Sequence, residues 1–149
     1  MNFKSKNLIL LSLFLIIGLL LSFSKTTKQN ENISEQQAIV LAEKYIQENG
    51  YSNAKPNNSN LNFELFEDKK DTYEILKRRY NTLQAKAFCV SNSDGNWVIG
   101  FLSTTVNLKN LNKEKRNSDL SGRAIKVSSN GNLVEIAHKD PRFSFFKKL

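Results

Sequence analysis

The chain has 149 residues and a formal net charge of +8, with 22 Lys or Arg residues against 14 Asp or Glu residues. This length is sufficient for one domain and too short for two ordinary ones. One cysteine excludes an intrachain disulfide, and one cysteine with one histidine disfavours a structural zinc site, so we expect no metal and no cofactor.

The first 24 residues have the pattern of an export signal. Lys4 and Lys6 precede an apolar stretch over residues 8–23, an arrangement typical of a signal peptide or a membrane anchor. Small residues before Lys25 permit cleavage after Ser24, whereas snorkelling of the flanking lysines would let the stretch remain as a single anchor. Both alternatives stay open. Either one predicts an exported domain, anchored facing the periplasm or the cell exterior, or released to the periplasm by cleavage.

A polar stalk and a sharply defined first helix follow. Residues 25–32 are polar and predict a flexible linker, and residues 33–149 are expected to form one domain. Ser34 and Gln37 have the spacing of a capping box. Apolar side chains then recur at helical spacing, and Gly50 is suited to a left-handed C-cap, so the sequence predicts a helix between them.

The next segment is predicted to contain one strand and a second helix. Residues 61–66 place apolar side chains on one face and predict a strand. Asp71 begins a box-like helix start. The basic run at residues 77–79 falls late in this helix, where cations stabilise the negative end of the helix dipole. The apolar face of the helix is expected to consist of Leu76, Tyr80 and Leu83.

From residue 85 onward, the apolar period changes from that of a helix to that of a strand. Residues 85–91 and 97–105 are predicted strands joined by a glycine-containing loop. Residues 106–121 form a long polar connection, which is unusual in a small domain and is expected to be mobile or functional.

The following two strands are predicted to form a hairpin around Asn130-Gly131, a strong signal for a type I′ turn in which both residues have positive φ. Lys126 then lies opposite Glu135 on one face, and apolar pairs lie on the other, which supports this register. The expected pairs on that other face are Val127 with Val134, Ile125 with Ile136, and Arg123 with His138.

His138 is the single histidine, and its predicted neighbour Arg123 is a permanent cation. A nearby like charge lowers a histidine pKa and disfavours a bound metal ion. Cys89 lies in a predicted strand, whereas nucleophilic cysteines prefer exposed, electropositive settings. These residues indicate a hairpin corner rather than an active site, and we expect a protein that is not an enzyme.

The order of helix, strand, helix and further strands joined by hairpins predicts an α+β fold. We expect a signal or anchor helix, then a curved antiparallel sheet packed around one or two helices. The terminal RFSFFKKL is predicted to be a last strand that covers a sheet edge, with a membrane-surface or partner-binding tip as the alternative.

Three blocks, RRYNTLQAKAF, GNWVIGF and GRAIKVSSNGNLVEIAHKDPRF, occur in an order that resembles small exported bacterial domains of the NTF2-like or cystatin-like type. Within that group the chain looks most like toxin-immunity proteins and uncharacterised ones. The resemblance covers residues 33–149 and implies a capped helix packed in a curled antiparallel sheet. It also implies binding rather than catalysis, because the sequence shows no obvious equivalent of the carboxylate and histidine or tyrosine that NTF2-like enzymes place inside the sheet.

The positive charge is concentrated near the carboxyl end. Residues 109–149 contain 10 Lys or Arg residues against 4 Asp or Glu residues, whereas the charges of residues 25–108 cancel. In an exported protein this excess favours an acidic protein partner or a membrane surface over nucleic acid, and a solvated surface is the alternative. The candidate contact residues are Trp97, Lys109, Lys113, Lys115, Arg116, Arg123, His138, Lys139 and Arg142. Trp97 could instead belong to the core.

The leading hypothesis is a non-catalytic exported binding protein, an immunity protein that covers and neutralises a secreted toxin. A second hypothesis is a ligand-binding or enzymatic domain with a partly polar pocket inside the curled sheet. A third is an envelope-associated structural module that acts through its amino-terminal segment and basic tail. The pocket of the second hypothesis is expected near Tyr45, Phe88, Trp97 and Phe101.

Overall fold

The computed structural model describes residues 32–107, 120–137 and 146–149. The predicted signal or anchor segment, most of the stalk, and His138 lie outside this part of the chain. Within it, no helix is long and apolar enough to cross a membrane. The described residues form two α-helices, a short 3-10 helix at Asn58–Asn60 and a five-stranded antiparallel sheet, which confirms the α+β class.

The first helix, α1, spans Glu35–Glu48 and begins as predicted. The Ser34 hydroxyl accepts a hydrogen bond from the Gln37 amide at 3.2 Å, and the Gln37 side-chain oxygen accepts one from the Ser34 amide at 2.8 Å. This capping box satisfies two amides that the helix itself leaves unpaired. Gly50 follows the helix with a φ of 79°, which confirms its predicted place. The buried face of α1 consists of Ala38, Ile39, Ala42, Tyr45 and Ile46.

The predicted strand at residues 61–66 is wrong, because this segment is an irregular loop that ends in a turn. Its backbone pairs with side chains instead of a neighbouring strand. The Asn62 amide donates to Asn49 Oδ1 at 2.7 Å, and the Asn62 carbonyl accepts from Arg79 at 2.8 Å. Leu65 is 77 % exposed, so the alternating apolar residues do not form one buried face.

The second helix, α2, spans Thr72–Arg79, and the Asp71 carboxylate caps it by accepting from the Glu74 amide at 3.3 Å. The predicted inward face is wrong: Ile75 and Arg79 are the buried residues of this helix. The difference arises because Arg79 finds hydrogen-bond partners in the interior, so a charged side chain occupies the inward face. Of the residues predicted there, Tyr80 is exposed, Leu76 is half-buried, and Leu83 is buried beyond the end of α2.

The sheet has the strand order β4-β3-β2-β1-β5, and each strand is antiparallel to its neighbour. Its strands are β1 (Cys89–Ser93), β2 (Asn96–Leu102), β3 (Gly122–Ser128), β4 (Val134–Ile136) and β5 (Lys147–Lys148). β5 pairs with the edge of β1, which confirms the predicted covering strand. The Lys147 ammonium also lies 3.0 Å from the Glu35 carboxylate in the first turn of α1.

β1 begins at Cys89 rather than at the predicted residue 85, because the chain bulges just before it. The Gln84 amide donates to the carbonyl of Leu102, whereas the Phe88 amide donates to that of Gly100, so four residues of one strand advance against two of the other. The bulge is held by α1: the Glu43 carboxylate accepts from the Ala87 amide at 3.1 Å. The bulge interrupts regular pairing before β1, and β2 ends at Leu102 rather than at the predicted residue 105.

The predicted register of the β3–β4 hairpin is confirmed, with Ile125 opposite Ile136, Lys126 opposite Glu135, and Val127 opposite Val134. The predicted turn type is wrong. Gly131 has a φ of 72°, but Asn130 does not have a positive φ. Its side-chain oxygen accepts from the Asn132 amide at 3.0 Å instead, which stabilises a longer loop with the same strand pairing.

The β1–β2 hairpin takes the tight turn that was expected at the other hairpin. Ser93 pairs with Asn96, and the two residues between them, Asp94 and Gly95, have φ values of 52° and 73°. Two consecutive positive φ values are the signature of a type I′ turn, which suits the twist of the paired strands.

Apolar clusters cover both faces of the sheet. The larger one lies between α1 and the sheet and includes Ala38, Ala42, Ile46, Ile99, Phe101, Ile125 and Val127. The smaller one lies on the opposite face and contains Cys89, Leu102 and Leu120. In β1 and β2, successive side chains alternate between the two clusters, as with Cys89 and Val90 or Phe101 and Leu102.

Replacing Ser34 with Ala will remove the side-chain acceptor at the start of α1. We expect the free energy of unfolding to fall by about 1 kcal/mol, as is typical for the loss of an N-cap. Urea denaturation monitored by circular dichroism measures it. Ser34→Asp keeps an acceptor and serves as the matched control, so an equal loss in both variants would contradict the capping role.

Candidate functional site

The described residues include two of the nine predicted contact residues, Trp97 and Arg123. The other seven lie outside the described part of the chain and are Lys109, Lys113, Lys115, Arg116, His138, Lys139 and Arg142. The predicted pairing of Arg123 with His138 falls outside it for the same reason.

Trp97 lies in β2 and is half-buried against the larger apolar cluster. Its indole N–H donates to the carbonyl of Ile33 at 3.2 Å. The side chain thus ties the segment before α1 to the sheet. This placement favours the packing role for Trp97 over that of a partner-binding anchor, because both the ring and its N–H are used within the domain.

Arg123 lies near the start of β3, and its guanidinium donates to Glu64 Oε2 at 2.8 Å. Its side chain remains 48 % exposed, so part of the guanidinium faces solvent. The other oxygen of Glu64 accepts a hydrogen bond from the Tyr51 hydroxyl. The loop that was predicted as a strand therefore carries a carboxylate to the end of the sheet.

A second arginine–carboxylate pair lies beside the first and is more deeply buried. The side chains of Arg79 and Glu67 are 3 % and 10 % exposed. Two nitrogens of the guanidinium donate hydrogen bonds to the two carboxylate oxygens, and Arg79 Nε lies 3.1 Å from Glu67 Oε1. Arg79 also donates to the carbonyl of Asn49 at 3.2 Å. Its guanidinium carbon lies 4.7 Å from the centroid of the Tyr51 ring. Such a bidentate pair is stable in the interior only when its remaining donors are satisfied.

The protonation states of the network follow from these contacts. Burial and the hydrogen bond to Glu64 raise the pKa of the Tyr51 hydroxyl above its ordinary value. Burial raises the pKa of the Glu64 carboxyl, but hydrogen bonds from Tyr51 and Arg123 and the charges of the two arginines outweigh burial and lower it below 4.5. At neutral pH the site therefore contains a protonated phenol and an ionised carboxylate.

A compact turn at residues 64–67, called here the 64–67 turn, projects from this network. The Glu67 amide donates to the carbonyl of Glu64 at 3.0 Å, and the Glu64 amide donates to Glu67 Oε2 at 2.8 Å. The two residues at its tip, Leu65 and Phe66, are 77 % and 97 % exposed. The most exposed large apolar side chains of the described residues thus lie on a turn whose ends are held by two ion pairs, of which the Arg79–Glu67 pair is buried.

Two open clefts adjoin the 64–67 turn and share Glu64 and Glu67 in their walls. The first, called here the Arg123 cleft, has a volume of about 430 Å³ and is also lined by Tyr51, Phe66, Arg78, Arg79 and Arg123. The second, called here the Glu135 cleft, has a volume of about 510 Å³ and is also lined by Tyr45, Leu65, Lys69, Leu133 and Glu135.

The four residues expected around a pocket inside the sheet do not enclose a common space. Phe101 is fully buried, and Tyr45 and Trp97 pack in the same larger cluster. Phe88 packs against the smaller cluster on the opposite face. The clefts lie instead beside the 64–67 turn, where the sequence pattern had indicated a strand.

The described residues offer little reactive chemistry outside this network. Burial raises the pKa of the Cys89 thiol to about 12, so the thiol stays protonated at neutral pH. No group of three or more potential metal ligands occurs among residues 32–107, 120–137 and 146–149. In the same residues, every buried side-chain nitrogen and oxygen has a hydrogen-bond partner.

Sequence reasoning missed Tyr51, Glu64, Glu67 and Arg79. A signal for one of them was present: Arg79 lies four residues after Ile75, so both belong to one face of a helix. The two carboxylates carried no such signal, because their partners are distant in sequence.

No family model, no curated protein and no solved structure matches this chain. The resemblance to NTF2-like and cystatin-like domains stays a prediction.

Replacing Arg79 with Leu will leave the Glu67 carboxylate buried without its cation. We expect the free energy of unfolding to fall by about 3–5 kcal/mol. The double variant Arg79→Leu/Glu67→Leu removes both charges and is expected to recover part of that loss. Urea denaturation followed by Trp97 fluorescence measures all three proteins.

The matched control is Arg78→Leu, because Arg78 is the exposed neighbour on the same helix. We expect it to change stability by no more than about 0.5 kcal/mol. A double variant as unstable as Arg79→Leu would contradict the unpaired Glu67 carboxylate as the cause of the loss.

The lowered pKa of Glu64 makes stability depend on pH. A carboxyl with a lowered pKa in the folded state contributes stability above its ordinary pKa of 4.5, and this is lost as the pH falls through the lowered value. Glu64→Gln is therefore expected to be less stable than the parent at neutral pH and to lose less stability on acidification. Urea denaturation at neutral pH and at several values below 4.5 tests this, and equal losses in both proteins would contradict it.

Proposed function

We propose that this chain is an exported, non-catalytic binding protein that acts as an immunity protein, neutralising a secreted toxin by covering its active site. One observation carries the proposal. Both carboxylates that line the Arg123 cleft are paired with arginines, while the apolar residues of the 64–67 turn beside them are exposed. Catalysis needs groups that can exchange protons or attack a substrate, whereas recognition needs an ordered surface with exposed anchors.

The protonation states of the cleft support binding over turnover. Glu64 has a lowered pKa and is ionised at neutral pH, whereas Tyr51 has a raised pKa and keeps its proton. A general acid or base works best when its pKa lies near the operating pH. The Cys89 thiol, with its raised pKa, is equally unsuited to nucleophilic attack.

The exposed tip of the 64–67 turn supports a macromolecular partner. Single apolar side chains on a surface are ordinary, but two adjacent ones on a fixed turn are the kind of anchor on which protein interfaces depend. The net charge of +8 favours a partner whose surface is acidic, because opposite charge accelerates association.

The proposal includes a finer architecture and a location. α1 contacts β2, β3 and β4 on one face of the sheet, which is compatible with the helix and curled sheet of NTF2-like or cystatin-like domains. Residues 1–24 would direct export, either as a retained anchor facing the periplasm or cell exterior or as a signal cleaved after Ser24. The toxin would then be met outside the cytoplasm.

Growth of a gene-deletion strain in contact with its parent tests this function. We expect the deletion strain to be outcompeted, because it lacks protection from the toxin that its parent secretes, and the intact gene to restore its fitness. A gene lacking codons 2–24 is the matched control and is expected not to protect, because its product stays in the cytoplasm. Equal fitness of deletion strain and parent would contradict the immunity function.

A further inference from the structure

We propose that the 64–67 turn and the Arg123 cleft form the docking surface for an acidic segment of a partner protein. In this arrangement Phe66 contacts apolar side chains of the segment, and Arg78 and Arg123 face its carboxylates. The inference rests on the proposed binding function and adds the surface and the chemistry of the partner.

The first support is the exposure of the turn. Phe66 is 97 % exposed and Leu65 is 77 % exposed, whereas the other phenylalanines of the described residues are half-buried or buried. Burying an aromatic side chain in an interface supplies a large part of the binding energy of many complexes. An exposed aromatic side chain beside a cleft is therefore well placed to be buried by a partner protein.

The second support is the rigidity of the turn. Glu64 and Glu67 close it through two hydrogen bonds of 3.0 and 2.8 Å, and each glutamate is then held by an arginine. The buried Arg79 links this turn to the carbonyl of Asn49 after α1. Because the turn is ordered before a partner arrives, binding does not have to immobilise it, and this preserves affinity.

The third support is the sign of the uncommitted charge. Both carboxylates shared by the two clefts are paired with arginines and are mostly buried. Arg78 lines the Arg123 cleft and pairs with no carboxylate of the described residues. Arg123 keeps about half of its side chain in solvent. The charge that remains unpaired in the Arg123 cleft is thus positive, which favours an acidic partner.

The test is a selection of phage-displayed random dodecapeptides on the immobilised full-length protein. We expect the enriched peptides to combine Asp or Glu with apolar residues. Their affinity is expected to fall about tenfold or more in Phe66→Ser, as for an interface anchor. In Arg78→Ser the affinity is expected to fall and to depend less strongly on salt, because Arg123 remains.

Val40→Ser is the matched control. Val40 is 54 % exposed on α1 but lines neither cleft, so its replacement is expected to leave the affinity unchanged. Thermal unfolding of each variant verifies that the domain is folded. No enrichment, enrichment of basic peptides, or equal binding to the parent and Phe66→Ser would each overturn the proposal.

A second copy of this chain and a membrane are the other occupants that this surface could have, and each is detected by a separate measurement. A dimer of the parent protein that dissociates in Phe66→Ser, seen by sedimentation equilibrium, would assign the turn to a second copy of the chain. Phe66-dependent binding to phosphatidylglycerol vesicles without peptide binding would assign it to a membrane. Either result overturns the docking proposal but leaves the competition between deletion strain and parent unaffected, so failure of the surface and failure of the immunity function are distinguishable.

Discussion

The buried pairing of Arg79 with Glu67 is the interaction on which the non-sheet half of this domain depends. A guanidinium that is 3 % exposed must find partners for its donors, because an unpaired buried charge would be strongly destabilising. Arg79 finds them on the 64–67 turn, on Asn62 and on the end of α1. One side chain at the end of α2 therefore holds together three segments that share no strand pairing.

The same network explains the character of the surface above it. Glu64 and Glu67 are the carboxylates that line the Arg123 cleft. Because the ion pairs that hold the 64–67 turn engage both of them, neither is available for chemistry there. What stays exposed is apolar at the tip and positive at the rim. A rigid site with paired carboxylates and an exposed phenylalanine at its tip is suited to recognition, and it costs the domain the desolvation of the Arg79–Glu67 pair.

Much of the scaffold could be predicted because it depends on local rules. The capping box at Ser34 needs partners only three residues apart, and the register of the β3–β4 hairpin follows from the apolar alternation of two neighbouring strands. The candidate site could not be predicted in this way. Of its residues only Arg123 was singled out, and its observed carboxylate partner is 59 positions away in sequence.

By itself, then, the sequence determined the α+β class, the start of α1 and the register of the last hairpin, because local geometry and the period of the apolar residues are sufficient for each. Only the tertiary structure decided that residues 61–66 form no strand and that Arg79 points inward. An apolar alternation is equally compatible with a strand and with a loop. The loop is selected because the Asn62 amide donates to the Asn49 side chain and the Asn62 carbonyl accepts from Arg79. These partners lie 13 and 17 positions away in sequence and come close only when the helices and the sheet have packed.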